Sequence, residues 1–190
     1  MKRLFAALKI QPDDEFLVKY RKLKHELRNE QLKWVEDHNI HITLKFFGET
    51  DERKIPAICS ALKQRASETT PIELHLAGLG VFGSSYAPKV LWVGIEPYAD
   101  LACLMKNIHD DLRIIGYEPD RQNLVPHLTL GRIKFLADKT RFNQTVSMMK
   151  SISSQVIRIE EALLYESILH REGPEYITLD RFPFLKKELP

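Results

Sequence analysis

The amino-acid sequence predicts an α+β fold with mainly antiparallel strands and with helices on the outside. Apolar residues at alternating positions predict several strands, and apolar residues every three or four positions predict the helices between them. The two kinds of element do not alternate strictly, as they do in a doubly wound parallel sheet. In addition, one four-residue motif occurs twice, once in each half of the chain.

The first half of the chain combines two helices with four strands. Each helix has one apolar face, and Asp13 or Asp14 can cap the first of them. Alternation that ends at Gly48 marks one strand, and a nearly continuous apolar run marks another as a buried strand. The predicted elements are strands at residues 2–9, 39–47, 72–76 and 90–95 and helices at residues 14–28 and 51–65.

The second half contains the most strongly amphipathic helix of the chain. Its apolar residues form one stripe, and Gly116 provides a C-terminal stop. The remaining pattern predicts one further helix and three strands. These predicted elements are helices at residues 100–115 and 138–150 and strands at residues 125–135, 155–164 and 175–179.

Composition and charge exclude several classes of protein. The 190 residues carry 28 Lys and Arg against 26 Asp and Glu, so no global basic field indicates nucleic-acid binding and any RNA contact would be local. No apolar run reaches the ~18 residues that a bilayer span requires, and the apolar stretch after Arg3 is shorter than a signal-peptide core. Cys59 and Cys103 have no disulfide or zinc spacing. We therefore expect a cytoplasmic protein with no membrane contact, and we expect it to be a monomer.

The repeated motif is His41-Ile42-Thr43-Leu44, which recurs as His127-Leu128-Thr129-Leu130. Chance would produce a His-apolar-Thr-Leu sequence roughly 0.02 times in a chain of this composition, so two copies are significant. Alternate side chains of a strand share a face, so each copy presents an imidazole beside a hydroxyl. Two histidines can act as base and acid in one turnover, and two hydroxyls can bind an oxyanion. These residue types suit phosphoryl chemistry without a metal.

Two other interpretations of the motif histidines compete with catalysis. A single histidine on a half-exposed strand is usually structural, and the duplication is what argues against that interpretation. A metal site is the second alternative, but the chain lacks a third Cys, Asp or Glu at ligand spacing near either motif. We therefore expect no metal and no cofactor. The remaining histidines are interpreted as structural: His25, His38, His75, His109 and His170.

The paired motifs resemble those of the two-histidine phosphoesterase superfamily. Within it they are most similar to the RNA 2′,3′-cyclic phosphodiesterases of bacteria and archaea, historically called 2′-5′ RNA ligases. The resemblance extends over nearly the whole chain, with one difference at Gly131, where the family often has Ala. The matching segments are residues 2–7, 34–35, 41–48, 90–94, 126–132, 164–167 and 173–176.

The resemblance implies that residues 1–190 form a single bilobal domain. Two mainly antiparallel sheets, related by a pseudo-twofold axis, would each contribute one motif to a central cleft. His41 would donate a proton to the leaving 3′ oxygen, and His127 would activate water. Thr43 and Thr129 would bind the phosphate.

Strand parity bears on the other candidate substrate-binding residues. The arginine that follows the second motif in the family is Arg132 here, and the resemblance implies that it contacts the phosphate or the base. Regular strand alternation places Arg132 on the core side. A bulge at Gly131, or the end of the strand, would instead allow it to face the cleft. Parity places Lys45 and Phe47 on the cleft face, where they would contact the phosphate and stack on a base. Phe5 is a further candidate for stacking.

The expected activity is hydrolysis of 2′,3′-cyclic phosphates, on RNA ends or small nucleotides, to 2′-phosphates. Reversible 2′-5′ ligation shares the same transition state. One histidine acts neutral and the other charged, so the sequence predicts a bell-shaped pH profile around neutrality. The alternative is a nucleotide- or RNA-binding module of the same fold without activity. The presence of both histidines and both threonines favours the enzyme.

Overall fold

The computed structural model describes residues 1–84, 86–118 and 125–185, which contain nine strands and four α-helices. The strands are β1 (Lys2–Lys9), β2 (Gln31–Trp34), β3 (His41–Thr50), β4 (Ile72–Gly83), β5 (Pro88–Glu96), β6 (Leu128–Phe135), β7 (Ile157–Ile159), β8 (Glu161–Leu169) and β9 (Pro174–Pro183). The helices are α1 (Asp14–Glu26), α2 (Ile55–Ser67), α3 (Ala99–Ile114) and α4 (Lys139–Met148).

The strands of the described residues pair antiparallel in the order β7-β4-β5-β6-β3-β1-β8-β9, with β2 beside β6. Without β2, this order is symmetric about the β6–β3 junction, since four of the other eight strands lie on either side of it. The junction is narrow, because Ile42 of β3 and Leu128 of β6 are the residues that pair across it. The expected α+β fold with two antiparallel halves is confirmed, and the two sheets join edge to edge along the two motif strands.

The two faces of the sheet have different surroundings. Alternate residues of β1 from Leu4 to Leu8 enter the main core, which also contains the buried faces of all four helices. Phe5 and Ala7 project from the opposite face and pack with Tyr165 of β8 in a small separate cluster. The helices therefore cover one face of the sheet and leave the other for the paired motifs.

Most predicted elements are confirmed within a few residues of their ends. The Asp13 carboxylate caps α1 by accepting from the amide of Phe16 at 2.8 Å, and Gly116 ends α3 with a φ of +86°. The short strand β2 was not predicted, because its four residues are stabilised by pairing with β6 and not by a local pattern. The strand expected at residues 155–164 is divided between β7 and β8.

Candidate active site

The two motifs lie side by side at the β3–β6 junction. The residue between the histidine and the threonine of each motif pairs with its counterpart in the other motif. In this antiparallel register, His41 lies opposite Thr129. Thr43 lies opposite His127 in the same way. Opposed side chains of an antiparallel pair are ~4.5–5.5 Å apart at Cβ, so the junction gathers two imidazoles and two hydroxyls into one group.

Each imidazole is held by the main-chain carbonyl two residues before it. Nδ1 of His41 donates to the Asn39 oxygen at 2.7 Å, and Nδ1 of His127 donates to the Val125 oxygen at 2.8 Å. A carbonyl oxygen only accepts, so the proton of each neutral ring is on Nδ1, and Nε2 is the nitrogen that gains and loses a proton. The Asn39 side chain is itself tied to the carbonyl of Pro174 at 3.0 Å.

Burial lowers the pKa of both imidazoles. Desolvation is the largest cause for His41; the hydrogen bond to Asn39 opposes it, and the charges of Arg132 and His127 lower that pKa further. Desolvation also lowers the pKa of His127, against the hydrogen bond to Val125 and with the help of Arg132. Both rings are therefore mainly neutral at pH 7 in the free protein. A bound phosphate anion would favour protonation of one of them.

A β-bulge turns Arg132 onto the cleft face. Strand β5 pairs with β6 at Thr129 and next at Gly131, so Leu130 is an extra residue in β6. Strand parity changes at that point, and Arg132 shares the face of Thr129. Its charge is close enough to lower the pKa of both motif histidines. Strand parity required a bulge at Gly131 or the strand end, and the structure has it one residue earlier.

A matching bulge in β3 overturns the predicted orientation of Lys45. Strand β1 pairs with β3 at Thr43 and next at Lys45, so Leu44 is the extra residue. Lys45 consequently faces the core side, where it is buried and donates to the carbonyl oxygen of Glu118 at 2.9 Å. The expectation that Lys45 faces the cleft is wrong because it assumed regular alternation through the bulge.

Phe46, and not Phe47, is the aromatic residue on the cleft face of β3. Phe46 pairs with Phe5 of β1 and is 44% exposed. The guanidinium of Arg3 lies over its ring, 4.8 Å from the ring centroid. Phe47 packs edge-on against Tyr117, with ring centroids 5.1 Å apart, on the side of the main core. The prediction that Phe47 faces the cleft is therefore wrong.

Aromatic side chains flank His41. The ring centroid of Phe5 is 5.1 Å from that of His41, so the structure brings this predicted residue to the site. Tyr176 of β9 lies edge-on to His41 at 5.3 Å, and the positive charge of Arg132 partly offsets the rise that burial causes in the pKa of Tyr176. The position of Tyr176 was not predicted from the sequence, although Tyr176 belongs to residues 173–176, one of the segments that carry the family resemblance.

His127 has an aromatic wall of its own. Phe82 of β4 lies edge-on to His127 at 4.7 Å, and the ring of Trp92 of β5 is 6.3 Å away. Phe82 and Trp92 stack on each other at 5.0 Å. Phe82 and Trp92 belong to different strands. It is the pairing of β4 with β5 and of β5 with β6 that places both rings beside His127.

The charged and polar groups of the junction suit an anionic ligand. In the described part of the chain, no group of three or more His, Cys, Asp or Glu side chains is placed to hold a metal ion. Two imidazoles, two threonine hydroxyls and a guanidinium are the groups that bind and protonate an oxyanion. Within the same residues, no helix has the length and apolar character needed to cross a bilayer.

An antiparallel α+β fold with one His-x-Thr motif in each half defines a two-histidine phosphoesterase. The family model described as LigT-like phosphoesterase matches residues 8–92 and, a second time, residues 93–176, so that each match contains one motif. The chain belongs to this family.

Curated relatives cover the chain to different extents. It is 32% identical to the RNA 2′,3′-cyclic phosphodiesterase of Archaeoglobus fulgidus over 95% of this chain and 99% of that protein. The protein of the same name from Methanocaldococcus jannaschii is 31% identical over 92% of this chain and 96% of its own. The one from Geobacillus stearothermophilus is 32% identical over 80% of this chain, which spans about half (48%) of that longer protein.

Solved structures share the fold. A protein of Thermus thermophilus superposes with a TM-score of 0.76 at 24% identity, over 98% of this chain and 100% of that one. Escherichia coli LigT in complex with 3′-AMP superposes with a TM-score of 0.72 at 21% identity, over 97% of this chain and 99% of that one. At these identities the likeness concerns the fold.

Proposed function

We propose that this protein opens 2′,3′-cyclic phosphates on RNA ends or small nucleotides and leaves a 2′-phosphate, without using a metal. The observation that carries the proposal is the β3–β6 register, which sets each motif histidine opposite the threonine of the other motif. The relatives named RNA 2′,3′-cyclic phosphodiesterase support the same class of substrate.

The proposed reaction uses the two Nε2 atoms in opposite directions. Nε2 of His127 takes a proton from a water molecule, whose oxygen attacks the phosphorus. The bond from phosphorus to the 3′ oxygen breaks, and Nε2 of His41 gives that oxygen a proton. Attack in line with the leaving group needs base and acid on opposite sides of the phosphorus, and a pseudo-twofold pair of histidines meets this need. A 5′-hydroxyl in place of water would give a 2′-5′ linkage, so we also propose ligation as a side reaction.

The hydroxyls and the guanidinium stabilise the phosphate in this proposal. Thr43 and Thr129 donate to its non-bridging oxygens, where negative charge develops in the transition state. Arg132 adds a positive charge on the same face. Burial, with a smaller contribution from that charge, lowers the pKa of both histidines, so both rings are mainly neutral before substrate binds, and the substrate anion favours protonation of the acid.

The aromatic walls provide surfaces for the nucleobase. Phe46 takes the stacking role that the sequence predicted for Phe47, because its ring is on the cleft face. A groove of about 650 Å³ adjoins the site beside Arg132 and Tyr176, with Trp34 in its lining. Such a groove has room for a nucleoside next to the bound phosphate.

The product of 2′,3′-cyclic AMP tests the proposal directly. With His41 as the acid at the 3′ oxygen, phosphorus NMR should show almost entirely the 2′-phosphate, with EDTA present throughout. A mainly 3′-phosphate product would contradict the assigned geometry. Absence of turnover by folded protein that still binds the nucleotide would favour the alternative function, a non-catalytic nucleotide- or RNA-binding module.

Three further properties belong to the proposal. We expect residues 1–190 to act as one bilobal domain and as a monomer. A cytoplasmic location is supported by the thiols of Cys59 and Cys103, which are both free.

A further inference from the structure

Both motif strands have a bulge at the same place, three residues after the histidine. Leu44 is the extra residue of β3 and Leu130 is the extra residue of β6. A bulge turns a carbonyl out of the regular ladder, and a buried carbonyl needs another donor. In both strands a side chain from the helix layer contacts that carbonyl.

The two donors come from different helices. Nε2 of His109, a buried residue of α3, donates to the carbonyl oxygen of Leu44 at 3.1 Å. The hydroxyl of Tyr20, a buried residue of α1, lies 2.8 Å from the carbonyl oxygen of Leu130 and 2.7 Å from that of Val35. The Val35 amide also donates to the carbonyl oxygen of Leu130, at 2.9 Å. This bond and the two contacts of the Tyr20 hydroxyl together tie the bulge to the end of β2.

The position of each bulge decides which residues face the cleft. Without a bulge, the residues two and four places after the histidine share its face. Here the third residue after each histidine is the extra one, so the second and the fifth residues after the histidine lie on the face of the histidine. These residues are Thr43 and Phe46 in β3, and Thr129 and Arg132 in β6. Loss of a bulge, with a one-residue shift of the pairing after it, would turn the phenyl ring or the guanidinium toward the helices.

We propose that Tyr20 and His109 are positioning residues that lock the two bulges and thereby hold Arg132 and Phe46 in the substrate cleft. Neither residue touches the substrate. Tyr20 acts through Arg132 and therefore on the phosphate, whereas His109 acts through Phe46 and therefore on the base. The catalytic part of this inference rests on the proposed function; the locking of the bulges does not.

Tyr20→Phe is the first test, because it removes one hydroxyl and keeps the ring. Tyr117→Phe is the control, since it removes a hydroxyl that contacts neither bulge. Hydrogen exchange at the amides of residues 131–133 should be at least about tenfold faster in Tyr20→Phe than in the control, since a broken lock lets the bulge open locally. This measurement needs no substrate.

Kinetics on 2′,3′-cyclic AMP then separate positioning from general stability. Tyr20→Phe should lower kcat/KM about tenfold or more at a temperature where the variant is folded. In an Arg132→Gln background the same change should cost less than about threefold, because the guanidinium that it misplaces is already absent. Equal losses in both backgrounds would overturn the inference.

His109 offers a conservative rescue. His109→Gln keeps an N–H donor near the position of Nε2, whereas His109→Leu removes it. The Leu variant should raise KM for 2′,3′-cyclic AMP several-fold with little change in kcat, and the Gln variant should restore KM. Unchanged exchange in Tyr20→Phe, or a Gln variant as impaired as the Leu variant, would refute the lock.

If the wild-type protein does not open 2′,3′-cyclic AMP, the proposed function fails and the catalytic part of this inference fails with it. The exchange experiment still decides whether Tyr20 locks the bulge.

Discussion

Gly80 of β4 should be intolerant of any side chain, because Trp92 lies across it. The two residues pair between β4 and β5, and a Cβ built on Gly80 would be 2.1 Å from Cζ2 and 2.4 Å from Cη2 of the indole. Neighbouring atoms in proteins do not approach so closely. In Gly80→Ala the indole must therefore move, and its neighbours are Phe82 and His127.

The expected cost has two parts. Forcing an extra methyl into a packed aromatic group should lower the free energy of unfolding by about 1–3 kcal/mol. Displacement of the indole also shifts the wall of His127, and a misplacement of ~1 Å in a catalytic group can lower the rate ~10²-fold. Since Trp92 also pairs with Thr129 on β6, the hydroxyl that we propose to bind the phosphate should shift with it. We expect kcat to fall roughly 10- to 100-fold, with a smaller change in KM.

The assay is turnover of 2′,3′-cyclic AMP together with urea unfolding. Gly131→Ala is a graded control, because its Cβ would be 3.2 Å from Cε3 of Trp34, a contact that a small shift can relieve. Gly173→Ala is the neutral control for packing, since no atom lies within 4 Å of its Cβ. If Gly80→Ala unfolds at the wild-type urea concentration and keeps wild-type kcat, the packing of Trp92 on Gly80 does not support His127 and this reasoning is refuted.

Two further predictions concern the paired motifs. His41→Ala and His127→Ala should each lower kcat at least ~10²-fold with EDTA present, while circular dichroism shows a native fold. The corresponding Thr→Ala changes should lower kcat less. Near-full turnover by either histidine variant would contradict the acid–base assignment. Burial lowers the pKa of both histidines. The histidine that acts as base is therefore deprotonated, and the histidine that acts as acid loses its proton, each at a lower pH than a free imidazole would. The kcat/KM profile should therefore be bell-shaped with its maximum below pH ~6.5, on the acid side of the neutral optimum that the sequence alone predicts. A rate that rises steadily from pH 5 to pH 9 would argue for metal-bound hydroxide instead.

Local patterns were sufficient for the elements and for the centre of the site. Helical spacing and capping residues are local, so α1 and α3 could be predicted nearly to their ends. The two His-x-Thr copies could be found because each is a contiguous segment whose alternation shows which side chains share a face. Phe5 and Arg132 were also named, the first from strand parity and the second from the family resemblance.

The remaining features depend on pairing between distant strands. A bulge is defined by the partner strand, so the sequence of β3 does not show that Leu44 is an extra residue, and Lys45 and Phe47 were assigned to the wrong face. Tyr176 and Trp92 reach the histidines from strands that are remote in sequence. The amino-acid order specifies which residues can carry the chemistry, since periodicity and motif spacing are properties of one segment. Which of them face the cleft is decided by register, since a one-residue change in pairing turns every following side chain to the opposite face.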